Sequence, residues 1–338
     1  MSGFYTIAVD AMGGDFGPRV TVPATVEALE RYPRLTIKLV GQTDSFTPYL
    51  RDIPASVRER LQSVQADGVI AMDEKPSHAL RKGQNTSLGI ALQLVADGQA
   101  NACVSAGNTG ALMVIGRRVL RMLEGIDRPA IVTAVPTQDG HCYMLDLGAN
   151  VDCCAEHLLQ FAIMGSVMTQ AVDGLAAPRV GLLNIGQEAI KGNEQVKLAS
   201  TLIKAYGRLN YIGYVEGDDI FAGKADVVVC DGFVGNIALK SSEGVSRLVA
   251  HGLGAAFRRT LYRRMLAWLA RPVLKELQQQ LDPSRRNGAS LLGLQGIVVK
   301  SHGGAGRACF GYAIDEAVAE VKMDVPSRIS EQLAASLV

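Results

Sequence analysis

Short, wholly apolar runs of β type alternate along this chain with segments of helical period, and most of the runs end in a turn rich in glycine and small polar residues. The runs fall at 5–9, 35–40, 102–104, 131–135, 143–147, 180–184, 211–214, 227–230 and 297–300. Strands that are apolar throughout are covered on both faces, and the helices between them act as crossovers. The pattern therefore predicts an α/β fold, a mainly parallel sheet with helices on both faces. The chain has 338 residues, 48% of them apolar, which is ample for a large core. No Ser/Pro-rich linker or compositional break divides it, so residues 1–338 read as a single domain with one insertion.

The insertion covers residues 244–281, where the period is helical and the charge is one-sided. Between Glu243 and Glu276 there are seven basic residues and no acid. On a helical wheel of about 100° per residue, Leu261, Tyr262, Met265, Leu266, Trp268, Leu269 and Val273 share an arc of about 160°. Arg263, Arg264 and Arg271 lie opposite them. The upstream residues 245–257 also follow helical spacing, so a helical hairpin is expected. Two roles fit it: a dimer arm, or a dock for a membrane surface or an acidic partner.

The turns carry the chemistry. They are DAMGGDFGP (10–18), SAGNTG (105–110), LGANVD (147–152), NIGQEAIKGN (184–193), CDGFVGN (230–236) and KSHGGAG (300–306). Glycine supplies 36 of the 338 residues, above the usual ~7%, and much of the excess sits here. A turn leading from a strand into a helix points unpaired backbone N–H groups at one spot, and glycine lets an anion approach them. In parallel sheets ligands collect at the carboxyl ends of strands, where these turns lie. The chain reads as built to hold phosphate.

Several other chemistries lack their signatures. There is no GxxxxGK[ST], no GxGxxG after the first strand, and Ser105 lacks the glycine that begins a nucleophile elbow. His141 and Asp146 form H-x4-D, but positions five apart on a strand face opposite sides, so the pairing is coincidental. The six cysteines show no CxxC spacing and no signal peptide opens the chain, which points to a reducing cytoplasm without disulfides. A net charge of +1 gives no overall field for nucleic acid. No apolar run is long enough to span a bilayer.

Together DAMGGDFGP, SAGNTGAL, GIDRPA, LDLGANVDC, FAIMGS, LLNIGQEAIKGN, YIGYVEGDDI, CDGFVGNIALK, NGA (287–289), LLGLQG and KSHG resemble the bacterial phosphate acyltransferases of phospholipid synthesis, the acyl-ACP:phosphate acyltransferases or PlsX family. The resemblance runs in order from Ile7 to about Val325. It implies a fold similar to phosphotransacetylases and isocitrate-dehydrogenase-like proteins. It also implies transfer of a fatty acyl group from acyl carrier protein to inorganic phosphate, giving acyl phosphate for a membrane glycerol-3-phosphate acyltransferase. A cytoplasmic homodimer, peripherally attached to the membrane and needing no metal, nucleotide or organic cofactor, is the expected form.

On this resemblance the catalytic candidates are Asn108, Lys191, Asp231, Asn236 and His302. Substrate or phosphate binding is expected at Asp10, Gly13, Gly14, Asp15, Ser105, Gly107, Thr109, Asn150, Asp152, Gly232, Gly235 and Lys300, with Gly110 and Lys240 as further candidates. Membrane or partner contact falls to Leu261, Arg263, Arg264, Met265, Leu266, Trp268 and Leu269. Structural readings stand beside these: Asn108, Thr109, Asn150 and Asp152 precede helices and suit caps, Asp10 and Asp15 suit Asx turns, and Lys191 suits a surface loop. His302 suits either protonation of a departing thiolate or a loop position. A cysteine-linked acyl enzyme at Cys230 or Cys309 competes with direct attack by phosphate, though neither has a histidine spaced to activate it. The functional alternatives are a phosphate acetyl- or butyryltransferase using a CoA thioester, and a noncatalytic membrane scaffold.

Overall fold

A computed structural model describes residues 3–281 and 288–335. Eleven strands among them form one sheet: β1 (Tyr5–Asp10), β2 (Leu35–Gly41), β3 (Leu61–Gln65), β4 (Ala102–Ser105), β5 (Ala130–Thr137), β6 (Gly140–Leu145), β7 (Arg179–Leu183), β8 (Asn210–Val215), β9 (Val227–Val229), β10 (Ala289–Leu292) and β11 (Ile297–Lys300). Their order is β3-β2-β1-β4-β11-β10-β5-β6-β9-β7-β8. Five strands on one side and four on the other form two parallel blocks, and antiparallel pairings through β10 and β5 join them.

The register of this seam places the site. Lys300, the last residue of β11, pairs with Ala289, and Ser290 pairs with both Val299 and Val132. One step along β5, Thr133 pairs with Met144 of β6, and Leu145 pairs with Val229 of β9. The blocks run in opposite directions, yet both end at the level of residues 132–133. Two sets of carboxyl-end turns therefore meet along one line at mid-sheet. In open α/β sheets this is the end at which ligands bind.

Side chains alternate across the sheet as the strand period requires. Ala8, Cys103, Ile131, Met144 and Val228 belong to one buried cluster, so both blocks share that face. The other face carries two clusters, one around Ile7, Val9 and Phe310 and one around Leu145, Phe161 and Val227. Two strands escaped the sequence reading. β3 is an edge strand with a largely exposed, polar sequence, and four-residue β10 follows a polar segment. Asn287 of the NGA motif lies outside the described residues.

The expected hairpin has a different start. A single 27-residue helix, Gly232–Arg258, begins at the turn after β9, runs through position 244 and leaves the body. Leu261–Leu269, capped by Thr260, and Arg271–Leu281 follow it. The break at Ala270 separates Val273 from the stripe assigned to a single wheel. No residue of Leu261–Leu269 is buried. Among the described residues, no helix is long and apolar enough to cross a membrane.

Candidate active site

A cleft of about 400 Å³ lies where the two sets of turns meet. From the first block come Thr109, Lys300, Ser301 and His302; from the second come Gly148, Asn236, Lys240 and Glu243, with Thr133 and Val135 of β5 lining the wall between them.

The wall on the first side is built from the turns after β1 and β4. Buried Asp10 accepts the Ser105 hydroxyl at 2.7 Å and the Met12 N–H at 3.2 Å, while Ser105 Oγ accepts the Gly107 N–H at 3.0 Å. A Cβ on Gly13 would stand 2.6 Å from the Gly107 nitrogen and 2.8 Å from Asp10 Oδ2, so glycine is required for the two turns to touch. Gly14 has φ 85° and faces the Gly303 carbonyl, which accepts the Asp15 N–H at 2.9 Å. Asp10, Gly13, Ser105 and Gly107 thus shape the site from behind. Burial holds the Asp10 carboxyl above the usual carboxylate range.

Asn108 is the cap that its place before a helix suggests. Its Oδ1 caps the helix Thr109–Leu120 by accepting the Ala111 N–H at 3.0 Å, and its Nδ2 donates to the carbonyls of Ala71, Met72 and Glu74. These bonds tie the start of the helix to the 71–74 loop. No acceptor among the described residues takes the N–H of Thr109 or Gly110. Those two amides sit at a helix N-terminus beside the cleft, where an anion is favoured.

Lys300 is the buried cation of the site. Its Nζ donates to the carbonyls of Ser301 and Ala106. Burial lowers its pKa to about 8, partly offset by the carboxylates of Asp10 and Asp15. Next to it, His302 Nδ1 accepts the Gly304 N–H at 3.1 Å. His302 thus stands at the cleft with one ring nitrogen engaged by its own turn.

The second side hangs on a residue that sequence reasoning set aside. Asp146 is fully buried and accepts N–H groups from Ile131 (2.9 Å), Ala149 (3.1 Å), Asn150 (2.6 Å) and the Asn150 side chain (2.9 Å). Asn150 Nδ2 also reaches the Pro129 carbonyl at 2.8 Å, and its own carbonyl accepts the Gly232 N–H. Asn150 is a brace and caps no helix; Cys154 with His157 caps Ala155–Asp173. Asp231 caps the helix Gly232–Arg258 through Val234 N–H at 2.8 Å. A Cβ on Gly232 would press on Asn150 O and Asp146 Oδ2, and one on Gly235 would overlap the Asp146 carbonyl oxygen. The amides of Gly107, Gly232 and Gly235 all have protein acceptors, so the structure gives these glycines a close-packing role. One turn further on, the same helix brings Asn236 and Lys240 to the cleft, with Lys240 held 3.0 Å from Glu243.

Of the expected residues, the structure brings Thr109, Asn236, Lys240, Lys300 and His302 together. Asp15 lies exposed beside the 302–304 turn. Lys191 and Asp152 are exposed on other loops and do not line the cleft. Cys230 is buried, directs its thiol at the Asp146 carbonyl, and has its pKa pushed well up by burial, which disfavours a thiolate nucleophile. His141 pairs with Asp173 at 2.9 Å, unrelated to Asp146. The residues missed are Asp146 and Glu243. Asp146 has its signal in the acidic residue opening DLGAN at a strand end.

A family model described as "Fatty acid synthesis protein" matches residues 5–328. A phosphate acyltransferase of Alkalilimnicola ehrlichii is 57% identical over 98% of this chain and 97% of its own. One of Pseudomonas fluorescens (strain Pf0-1) is 56% identical over 97% of each. Among solved structures, a phosphotransacetylase from Streptococcus pyogenes superposes with TM-score 0.63 at 16% identity, covering 94% of both chains. A branched-chain phosphotransacylase from Enterococcus faecalis gives 0.55 at 15% identity, covering 93% of this chain and 99% of that one. These structures share the fold, and the sequence likeness over nearly the full length places this chain in the fatty acid synthesis protein family, among the phosphate acyltransferases.

Proposed function

We propose that this protein transfers a long-chain fatty acyl group from the thioester of acyl carrier protein to inorganic phosphate. The observation that carries the reading is the meeting of Lys300 and Thr109, the first residue of its helix, in one cleft with Asn236, Lys240 and His302. A phosphate dianion supplies a counter-charge to the buried Lys300 ammonium. Its oxygen attacks the thioester carbonyl carbon, a C–O bond forms, and the C–S bond breaks. The proton of HPO4²⁻ ends on the departing sulfur. Lys300 suits the relay, because an ammonium titrating near 8 matches an ordinary thiol at ~8.5. Donors preset around the oxyanion contribute ~3 kcal/mol each, and orientation contributes several more.

The acyl phosphate then passes to a membrane glycerol-3-phosphate acyltransferase. A homodimer at the cytoplasmic surface of the membrane fits the exposed apolar face of Leu261–Leu269 and the basic residues around it. The test is phosphate-dependent release of free carrier protein from palmitoyl carrier protein, with hydroxylamine trapping of the acyl phosphate. Palmitoyl-CoA and acetyl-CoA serve as rival donors. Turnover with acetyl-CoA alone, or carrier protein release that is the same with and without phosphate, overturns the reading.

A further inference from the structure

The helix Gly232–Arg258 has a second functional flank. Asn236, Leu239, Lys240 and Glu243 face the reaction cleft, while Val234, Ile237, Ala238, Ser241 and Val245, offset by the helical period, face a separate cavity of about 900 Å³. From the body it is lined by Leu158, Leu182 and Val196 and by the polar Asn184, Asn193 and Asp231. Cleft and groove adjoin, since Phe221, Ser242 and Ser246 line both. The groove is open at its rim, where Val234 is 41% exposed, Ile237 50% and Val245 60%. Apolar surface collected in a concavity of this size marks a ligand site.

Resting on the acyl transfer proposed above, we infer that this groove seats the hydrocarbon chain of the acyl donor, with the carbonyl carbon held in the adjoining cleft and the methylenes leading past Phe221, Ser242 and Ser246 into the apolar cavity. A hydrocarbon is favoured over a polar occupant because apolar side chains make up most of the groove's lining and it adjoins the place where the acyl carbonyl must lie. The groove lies along the inner half of a helix whose outer half enters the arm. The occupied chain therefore starts near the reacting atoms and points outward.

Each methylene seated in such a groove tightens binding roughly fourfold. The test compares butyryl, octanoyl and palmitoyl carrier protein as donors for wild type, Ala238→Trp and Val196→Trp. Two readouts are taken: kcat/KM, and donor binding by equilibrium dialysis without phosphate. Filling the groove at Ala238 lowers the palmitoyl-to-octanoyl ratio in both readouts at least tenfold, and Val196→Trp lowers it less. Size-exclusion chromatography runs in parallel. Ratios unchanged in both variants overturn the inference, as does a change of oligomeric mass without a change of ratio, which would mean that a second copy covers the groove. Wild type that binds palmitoyl carrier protein more tightly than octanoyl but forms no acyl phosphate keeps the groove and removes the transfer.

Discussion

In the proposed reaction Lys300 meets two opposed demands: it must be cationic to hold phosphate, and it is buried where charge is costly. Its depressed pKa measures that cost, on the order of 3 kcal/mol for a fall from 10.5 to about 8. Between those two values the unfolded chain binds the proton and the folded chain does not, so stability rises with pH across the window and the cost is fully present below it. Lys300→Met should abolish turnover yet raise the melting temperature at pH 7, and the gain should vanish by about pH 10.5. Phosphate should raise the wild-type melting temperature more at pH 7 than at pH 10, and leave the variant unmoved. A variant that melts lower than wild type at pH 7 would contradict the buried-cation account. Asp146 has the opposite character, a buried anion satisfied by four N–H groups. Asp146→Asn turns one accepting oxygen into a donor facing donors, and should cost ~3 kcal/mol in denaturant unfolding. Sequence reading missed Asp146 because its role appears only when β5 and the 147–150 turn close over it.

Helices at this site are held by contact with backbone, and that explains which parts of the sequence were legible. Apolar runs of β type located nine of eleven strands, because strands buried on both faces carry their signal in every residue. β3 gave no such signal, since an edge strand has fewer partners to satisfy. The glycine-rich turns were correctly placed at the carboxyl ends, but the physical reason differs at half of them. Gly232 and Gly235 let the helix Gly232–Arg258 start against Asp146 and Asn150, so their chemistry is steric and indirect. Composition cannot separate a glycine that admits an anion from one that admits a neighbouring carbonyl. Gly235→Ala therefore tests the element. Its Cβ would overlap the Asp146 carbonyl, so the helix start must move and carry Asn236 and Lys240 away from the cleft. We expect at least a hundredfold loss of kcat/KM together with a loss of melting temperature, measured beside the milder Ala238→Gly. An alanine at 235 with wild-type kinetics would show that the helix start does not set the site.

Over the whole molecule, the antiparallel seam brings two oppositely directed blocks to one line, and the helix that starts there carries the chain away from the body. The reaction site and the arm are thus two ends of one rigid element. In the arm, Leu261 (82%), Trp268 (70%) and Leu269 (61%) are exposed, an apolar surface of the kind that marks an interaction site. The seven basic residues between Glu243 and Glu276 contrast with a net charge of only +1 for the whole chain. On the membrane reading proposed above, anionic headgroups would attract such a field at roughly 1 kcal/mol per cation near the surface, and the apolar side chains would insert. Vesicle flotation should recover wild type with phosphatidylglycerol vesicles and much less with phosphatidylcholine, and recovery should fall as salt rises from 50 to about 500 mM, because exposed charges are screened. Trp268→Glu should release the protein from anionic vesicles at low salt while turnover of carrier protein thioester in solution stays near wild type. If the face is instead closed by a second copy, the same substitution will split the oligomer in sedimentation and leave vesicle recovery unchanged. The two roles therefore separate in one variant, measured twice.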